Sequence, residues 1–214
     1  MAGPVVRPSS LWHRRFMNPA NANGPDGATV HYGDPDNQHS LEFFLELRDR
    51  VSHNVAEGLL ETMREGADQG RYVIKFHFAA QMDQTVGGAG SVCGLSALGA
   101  AGDVGQRQFI EYLAVLLKDQ PFPPGFDRFS ETSVLLDLAS KVDGLRSPEF
   151  DLKVTEKTYM DWAGDTVAAF SSFNVLETPV VRFDGREIQV AKAEGGFARG
   201  PAVSVADFLE QLPH

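Results

Sequence analysis

Apolar side chains first fall into a regular rhythm at Ser40. Leu41, Phe43, Leu45 and Leu47 alternate with Glu42, Phe44 and Glu46, the period of two that turns one face of a strand toward a core. Asp49 then stands where a helix N-cap is expected. Val51, Val55, Leu59 and Met63 recur at every fourth position, and Gly66 and Gly70 close the segment. A second apolar run, Arg71 to Ala79 with Val73, Ile74, Phe76 and Phe78, has strand length. Residues 40–79 therefore read as a βαβ unit with a right-handed crossover.

Upstream, residues 1–39 are rich in Pro, Gly, Asn and Asp and read as a flexible lead-in, with one brief strand over Ala28 to Tyr32 before the turn Gly33-Asp34-Pro35-Asp36. Downstream, the period changes. Phe109, Ile110, Leu113, Leu116 and Leu117 are spaced as on a helix, as are Val134, Leu135, Leu138, Ala139 and Val142, with Pro121, Pro123 and Pro124 between them. A further helix is expected from about Val154 to Phe173, with Tyr159, Trp162, Ala163 and Phe170 inward. The strand pattern returns at Thr178 to Phe183 and continues from Arg186 to Val190, the Asp184-Gly185 pair between them being a hairpin signal. Ser204-Val205-Ala206-Asp207 resembles a capping box ahead of Phe208, Leu209 and Leu212. The expected organisation is a lead-in over 1–39, a βαβ half over 40–86, a helical insertion over 87–173 and a ββα half over 174–214.

At 214 residues the chain can bury a real core without a metal or disulfide to hold it. The single cysteine, Cys93, excludes an intrachain disulfide, a four-cysteine zinc site and any dithiol cycle carried out by this chain alone. A formal charge of −10 argues against a nucleic-acid partner, because phosphate binding rests on Lys and Arg, and the one dense basic cluster is His13-Arg14-Arg15. Neither a secretory h-region nor a membrane-length apolar run is visible. With one free thiol, that points to a cytoplasmic protein without a membrane partner.

The order of elements, with Thr178-Pro179 opening the second β unit, resembles the DsbA-like family, an α/β thioredoxin fold (βαβ–ββα) carrying an inserted helical subdomain. Gly33 to Asp36, the strand at 40–47, Phe109 to Pro121, the helix at 130–142, Ser147-Pro148-Glu149-Phe150 and Val175 to Gly185 fall where that family has similar segments. One departure dominates. Where redox-active members place Cys-x-x-Cys at a helix N-terminus, this chain reads Asp49-Arg50-Val51-Ser52. A carboxylate caps a helix but neither attacks a disulfide nor leaves from one, and a serine cannot resolve a mixed disulfide. The resemblance further implies that Pro179 is cis and that Thr178 and Pro179 line a substrate-like groove beside residues 49–52.

Other residues invite chemistry and have plainer readings. Ser52 and His53 are adjacent, so a helix does not face them together as nucleophile and base. Asp49 is a candidate general base. Cys93, among Gly, Ala and Leu, reads as a small buried hydrophobe. His31, His39, His53 and Asp49 match no ligand spacing, and no metal site is expected. Glu46 and Lys75, on neighbouring strands, are expected to pair. Gly87-Gly88-Ala89-Gly90 lacks the ending of a phosphate loop and reads as a helix entry. Phe122, Phe126 and Phe129 either cap the insertion's core or face a partner.

Two functions follow from the resemblance. The first is a DsbA-like protein without dithiol redox chemistry, needing no cofactor, that binds a peptide, a partner protein or a second copy of itself through the former active-site groove. The alternative is a transferase or isomerase resembling the kappa-class glutathione transferases, with a low-molecular-weight thiol as cofactor and Ser52 or Asp49 near its sulfur.

Overall fold

Five strands form one sheet in the order β1-β3-β2-β4-β5, comprising β1 (Val30–Tyr32), β2 (Ser40–Glu46), β3 (Val73–Ala79), β4 (Val180–Phe183) and β5 (Arg186–Ile188). The computed structural model describes residues 17–22, 24, 27–120, 126–194 and 200–213. His13-Arg14-Arg15, Pro121, Phe122, Pro123 and Pro124 lie outside the described residues. β2 and β3 run parallel, and every other neighbouring pair is antiparallel. The two central strands alternate as their sequence demands. Leu41, Phe43 and Leu45 turn to one face with Ile74, Phe76 and Phe78, and all six are buried.

That face is covered by α1 (Arg50–Asp68) and α4 (Gln106–Lys118), whose Phe109 meets the rings of Phe76 and Phe78. Val55, Leu59 and Met63 of the α1 stripe are fully buried, and Val51 is half-buried. The short C-terminal helix α8 (Val205–Glu210), capped by Ser204 through the Asp207 N–H, packs on α1. The opposite face is smaller. There Phe44 stacks on His77 and meets the edges of Phe170 and Phe173, which come from α7 (Met160–Phe170) and the turn after it.

Between the two β units the chain forms α2 (Gln81–Thr85), α3 (Gly90–Val104), α4, α5 (Thr132–Ala139), α6 (Pro148–Thr155) and α7. α3 is buried on nearly every side, packed against α4, α6 and α7. Its small residues carry no amphipathic stripe, so the helical spacing that marks its neighbours is absent from it. The βαβ–helices–ββα order of the thioredoxin fold is the order the chain adopts.

Three local expectations need correction. The helix expected over 154–173 is two helices. After α6, Lys157 takes a left-handed conformation (φ 52), while Lys157 and Thr158 donate to the carbonyls of Val154 and Lys153, the two bonds of a Schellman turn. That position usually belongs to glycine, and a lysine there hid the break. Gly66 does not close α1, which continues to Asp68; a Cβ at Gly66 would lie 2.1 Å from the Tyr72 hydroxyl, so the glycine admits that ring. Glu46 does not pair with Lys75. The parallel register puts Lys75 opposite Glu42 and Glu46 opposite Ala79, because β2 and β3 are offset by 33 positions along their whole overlap.

The hairpin at Asp184-Gly185 has both residues at positive φ, 48 and 79, as a two-residue turn of this hand requires. The segment ahead of β1 is tied to the insertion. The Ala20 N–H donates to Asp103 of α3 at 3.0 Å, the same carboxylate accepts from Lys153 and Tyr159, and the Trp162 indole donates to the Gly27 carbonyl.

Candidate functional site

β2 ends at Glu46, three residues carry the chain outward, and α1 begins. Asp49 occupies the N-cap in extended conformation, and its carboxylate receives the N–H of Val51 on Oδ1 at 3.2 Å and the N–H of Ser52 on Oδ2 at 2.8 Å. Ser52 is completely buried. Its hydroxyl donates to Asp49 Oδ2 at 2.7 Å and accepts the Glu46 N–H at 3.2 Å. Across from this turn, the Thr178–Pro179 peptide bond is cis, and the Thr178 hydroxyl lies 3.5 Å from Asp49 Oδ2. Asp49, Ser52, Thr178 and Pro179 are thus brought together. Val51 is half-buried against the core, and Arg50 is exposed in the first turn of α1.

A neutral side chain from the insertion holds the connector in shape. The Gln120 amide donates to the carbonyls of Leu47 and Asp49, at 2.7 and 2.9 Å. It also borders a depression of about 610 Å³ between the end of α4 and α5, whose apolar lining is Phe126, Phe129, Val134 and Leu138.

Beneath the turn lies a buried ionic network. The Arg48 guanidinium is 1% exposed, donates to Asp83 at 2.6 Å and to the Gly87 carbonyl at 3.1 Å, and stands 3.3 Å from Asp127. Asp83 in turn accepts the Ser91 and Val92 N–H groups at the start of α3, and Asp127 accepts the Ala89 N–H. The glycine-rich stretch 87–90 is therefore the entry to α3, held by two carboxylates. Glu46 accepts the Met82 N–H at 2.8 Å and the Ser91 hydroxyl at 2.9 Å. Burial pushes its carboxyl above the usual range; the two hydrogen bonds oppose the shift, and the charges of Asp49 and Asp83 add to it.

The remaining candidates are placed elsewhere. His53 is buried and gives its Nδ1 proton to the Leu117 carbonyl at 2.6 Å, away from Ser52. His39 pairs with Asp184, and His31 sits on β1 opposite Lys75. Among the described residues no three His, Cys, Asp or Glu side chains are gathered to hold a metal. Cys93 is buried inside α3, and burial raises its thiol above the ordinary cysteine range, with Lys157 working in the other direction. Phe129 is fully buried and Phe126 is exposed, so the two split between the core and the surface.

Gln120, Arg48, Asp83, Asp127 and Ser91 carry no sequence pattern that marks them. Each reaches the site from 35 or more positions away from its partner or through a backbone group. No described helix is long and apolar enough to cross a membrane.

The thioredoxin family model matches residues 26–199. No curated protein is significantly similar in sequence. Several solved structures share the fold. The reduced form of the disulfide bond oxidoreductase DsbG from Mycobacterium tuberculosis superposes with a TM-score of 0.61 at 18% identity, over 74% of this chain and 76% of that one. MdbA, a thiol-disulfide oxidoreductase from Actinomyces oris, gives 0.64 at 16% identity over 86% and 93%. Oxidised BdbD from Bacillus subtilis gives 0.64 at 13% over 81% and 90%.

Proposed function

Because the chain belongs to the thioredoxin family and has one cysteine, we propose that it is a DsbA-like member without dithiol redox chemistry, acting by binding a polypeptide where α1 begins beside Thr178-Pro179. The observation that carries this reading is the pair of hydrogen bonds that Val51 and Ser52 give to the Asp49 carboxylate. In a redox-active relative, the free N–H groups and dipole at such a helix start stabilise a thiolate. Here an immovable oxyanion already uses them. The loop that faces this turn keeps its cis proline and runs directly into β4, and backbone at such a place is what an extended peptide pairs with.

The same hydrogen bonds weigh against a thiol cofactor. A bound thiolate would meet a carboxylate in place of donors, and Ser52 has committed its proton to that carboxylate.

Two measurements test the reading together. Insulin reduction by the wild-type protein is expected to match that of a Cys93→Ser control. Titration with extended peptides, followed by 1H–15N chemical shifts, is expected to move the amide signals of residues 49–52 and 176–180. Turnover above the control, or peptide-induced shifts confined to another part of the molecule, overturns it.

A further inference from the structure

Three segments tied to the start of α1 each expose a large apolar side chain. Leu176, 87% exposed, lies two residues before Thr178, and its carbonyl is 3.4 Å from the Gln81 amide. Phe126, 61% exposed, adjoins Asp127 of the Arg48 network and borders the 610 Å³ depression beside Gln120. Val86, also exposed, adjoins Gly87, whose carbonyl accepts from Arg48. Leu176 and Phe126 are the two most exposed large apolar side chains among the described residues, and apolar groups of that kind beside one turn mark a contact surface.

The charge at the middle of this surface is negative. Asp49 stands half-buried at the head of α1, with its carboxylate 3.5 Å from the Thr178 hydroxyl. Arg48 is buried and paired with Asp83 and Asp127, which leaves Asp49 as the half-exposed carboxylate at this turn. Arg50 is exposed in the first turn of α1, and the depression is lined by charges of both signs, Arg128 and Lys141 with Asp119 and Asp137, of which Lys141 is paired with Asp119.

We propose that this surface selects an extended polypeptide segment in which a lysine or arginine faces Asp49 and is flanked by large apolar residues, one of them entering the depression beside Phe126. The inference rests on the binding function above and adds to it the chemistry of the occupant. Asp49 is then the residue that sets specificity: a cation gains the carboxylate as a partner, while an acidic residue or a thiolate is repelled. An extended chain suits the arrangement because its side chains leave in alternate directions and so reach separate apolar positions on either side of one contact.

The test uses fluorescein-labelled Ac-Gly-Leu-Phe-Xaa-Leu-Gly-amide, with Lys, Gln or Glu at Xaa, binding measured by fluorescence polarisation at low salt. The Lys peptide is expected to bind about fivefold more tightly than the Gln peptide, the size of one exposed ion pair near 4 Å in water, and the Glu peptide more weakly than either. In the Asp49→Asn variant, whose amide still caps the helix, the three peptides are expected to bind alike. Equal binding of the three peptides to the wild-type protein overturns the proposed specificity and leaves the binding function standing. Absence of binding by all three overturns both. A Lys preference that survives Asp49→Asn overturns the assignment to Asp49.

Discussion

Ser52 gives both its backbone N–H and its hydroxyl proton to one oxygen of Asp49, at 2.8 and 2.7 Å. The two residues are three apart at the first turn of α1, a spacing at which side chains meet. The distance between them is already that of a contact pair. Replacing both by cysteine is therefore expected to create a disulfide in the Asp49→Cys/Ser52→Cys variant, together with insulin reduction above the wild type. Mass spectrometry after thiol blocking reads the first and turbidity the second; a variant that stays fully reduced under mild oxidation contradicts the geometry.

Asp49 also holds the helix. Substitution by alanine removes an acceptor from two N–H groups and is expected to lower stability by about 1 kcal/mol, whereas asparagine, a comparable cap, is expected to change it little. Urea unfolding of the two variants distinguishes them.

Arg48, at 1% side-chain exposure, stands between Asp83 and Asp127. Arg48→Ala leaves those carboxylates without their counter-charge, and a loss of about 3–5 kcal/mol is expected. Arg48→Lys restores the charge without the planar fork that spans several acceptors, so it is expected to recover only part of that loss. Denaturant midpoints at matched slopes measure both.

Glu46 gives a pH dependence of definite sign. Its carboxyl is raised from the ordinary 4.5 chiefly by burial, so the folded protein binds the proton more tightly than the unfolded chain. Its proton therefore supports folding fully below the unfolded value, and that support is lost as pH rises through the folded value. Glu46→Gln keeps an oxygen for the Met82 and Ser91 donors and cannot ionise. The stability difference between variant and wild type is expected to widen above pH 4.5 and then level off. A difference that is flat with pH contradicts a raised Glu46. The comparison of the two proteins is required because Glu42, Asp151 and Asp184, all lowered, give the whole chain an opposite trend at acid pH.

Cys93 is 4% exposed and its thiol is raised by burial. Reaction with a disulfide reagent at neutral pH is expected to be slow in the native protein and fast after unfolding in urea, with absorbance of the released thiolate as the readout. Fast native labelling contradicts its placement inside α3.

Much of the fold can be read directly from the chain because its signals are local. The alternation at 41–47, the stripe of α1, the Asp184-Gly185 turn and the caps at Asp49 and Ser204 each depend on residues a few positions apart. What escaped depends on distant partners or on the absence of a stripe. α3 is covered on almost all sides and so has no polar face to set a period. Neighbouring strands alone suggest Lys75 as the partner of Glu46, and only the register, which no residue near it announces, puts Ala79 there. At the site, Asp49 and Ser52 stand out as the wrong residues in a familiar place, while Gln120 and the Arg48 network are invisible because their meaning lies in contacts that the sequence keeps 35 to 79 positions apart.

The amide of Gln120 spans two carbonyls of the connector that leads into α1. A segment that looks appended to the β framework, just beyond α4, thus acts as the jig in which the connector is set. A substitution at Gln120 removes two bonds to the Asp49 turn without touching a residue of it. The insertion is therefore a place from which the Asp49 turn can be shifted, by a neutral group whose shortening by one methylene would release the connector while leaving every charge around it in place.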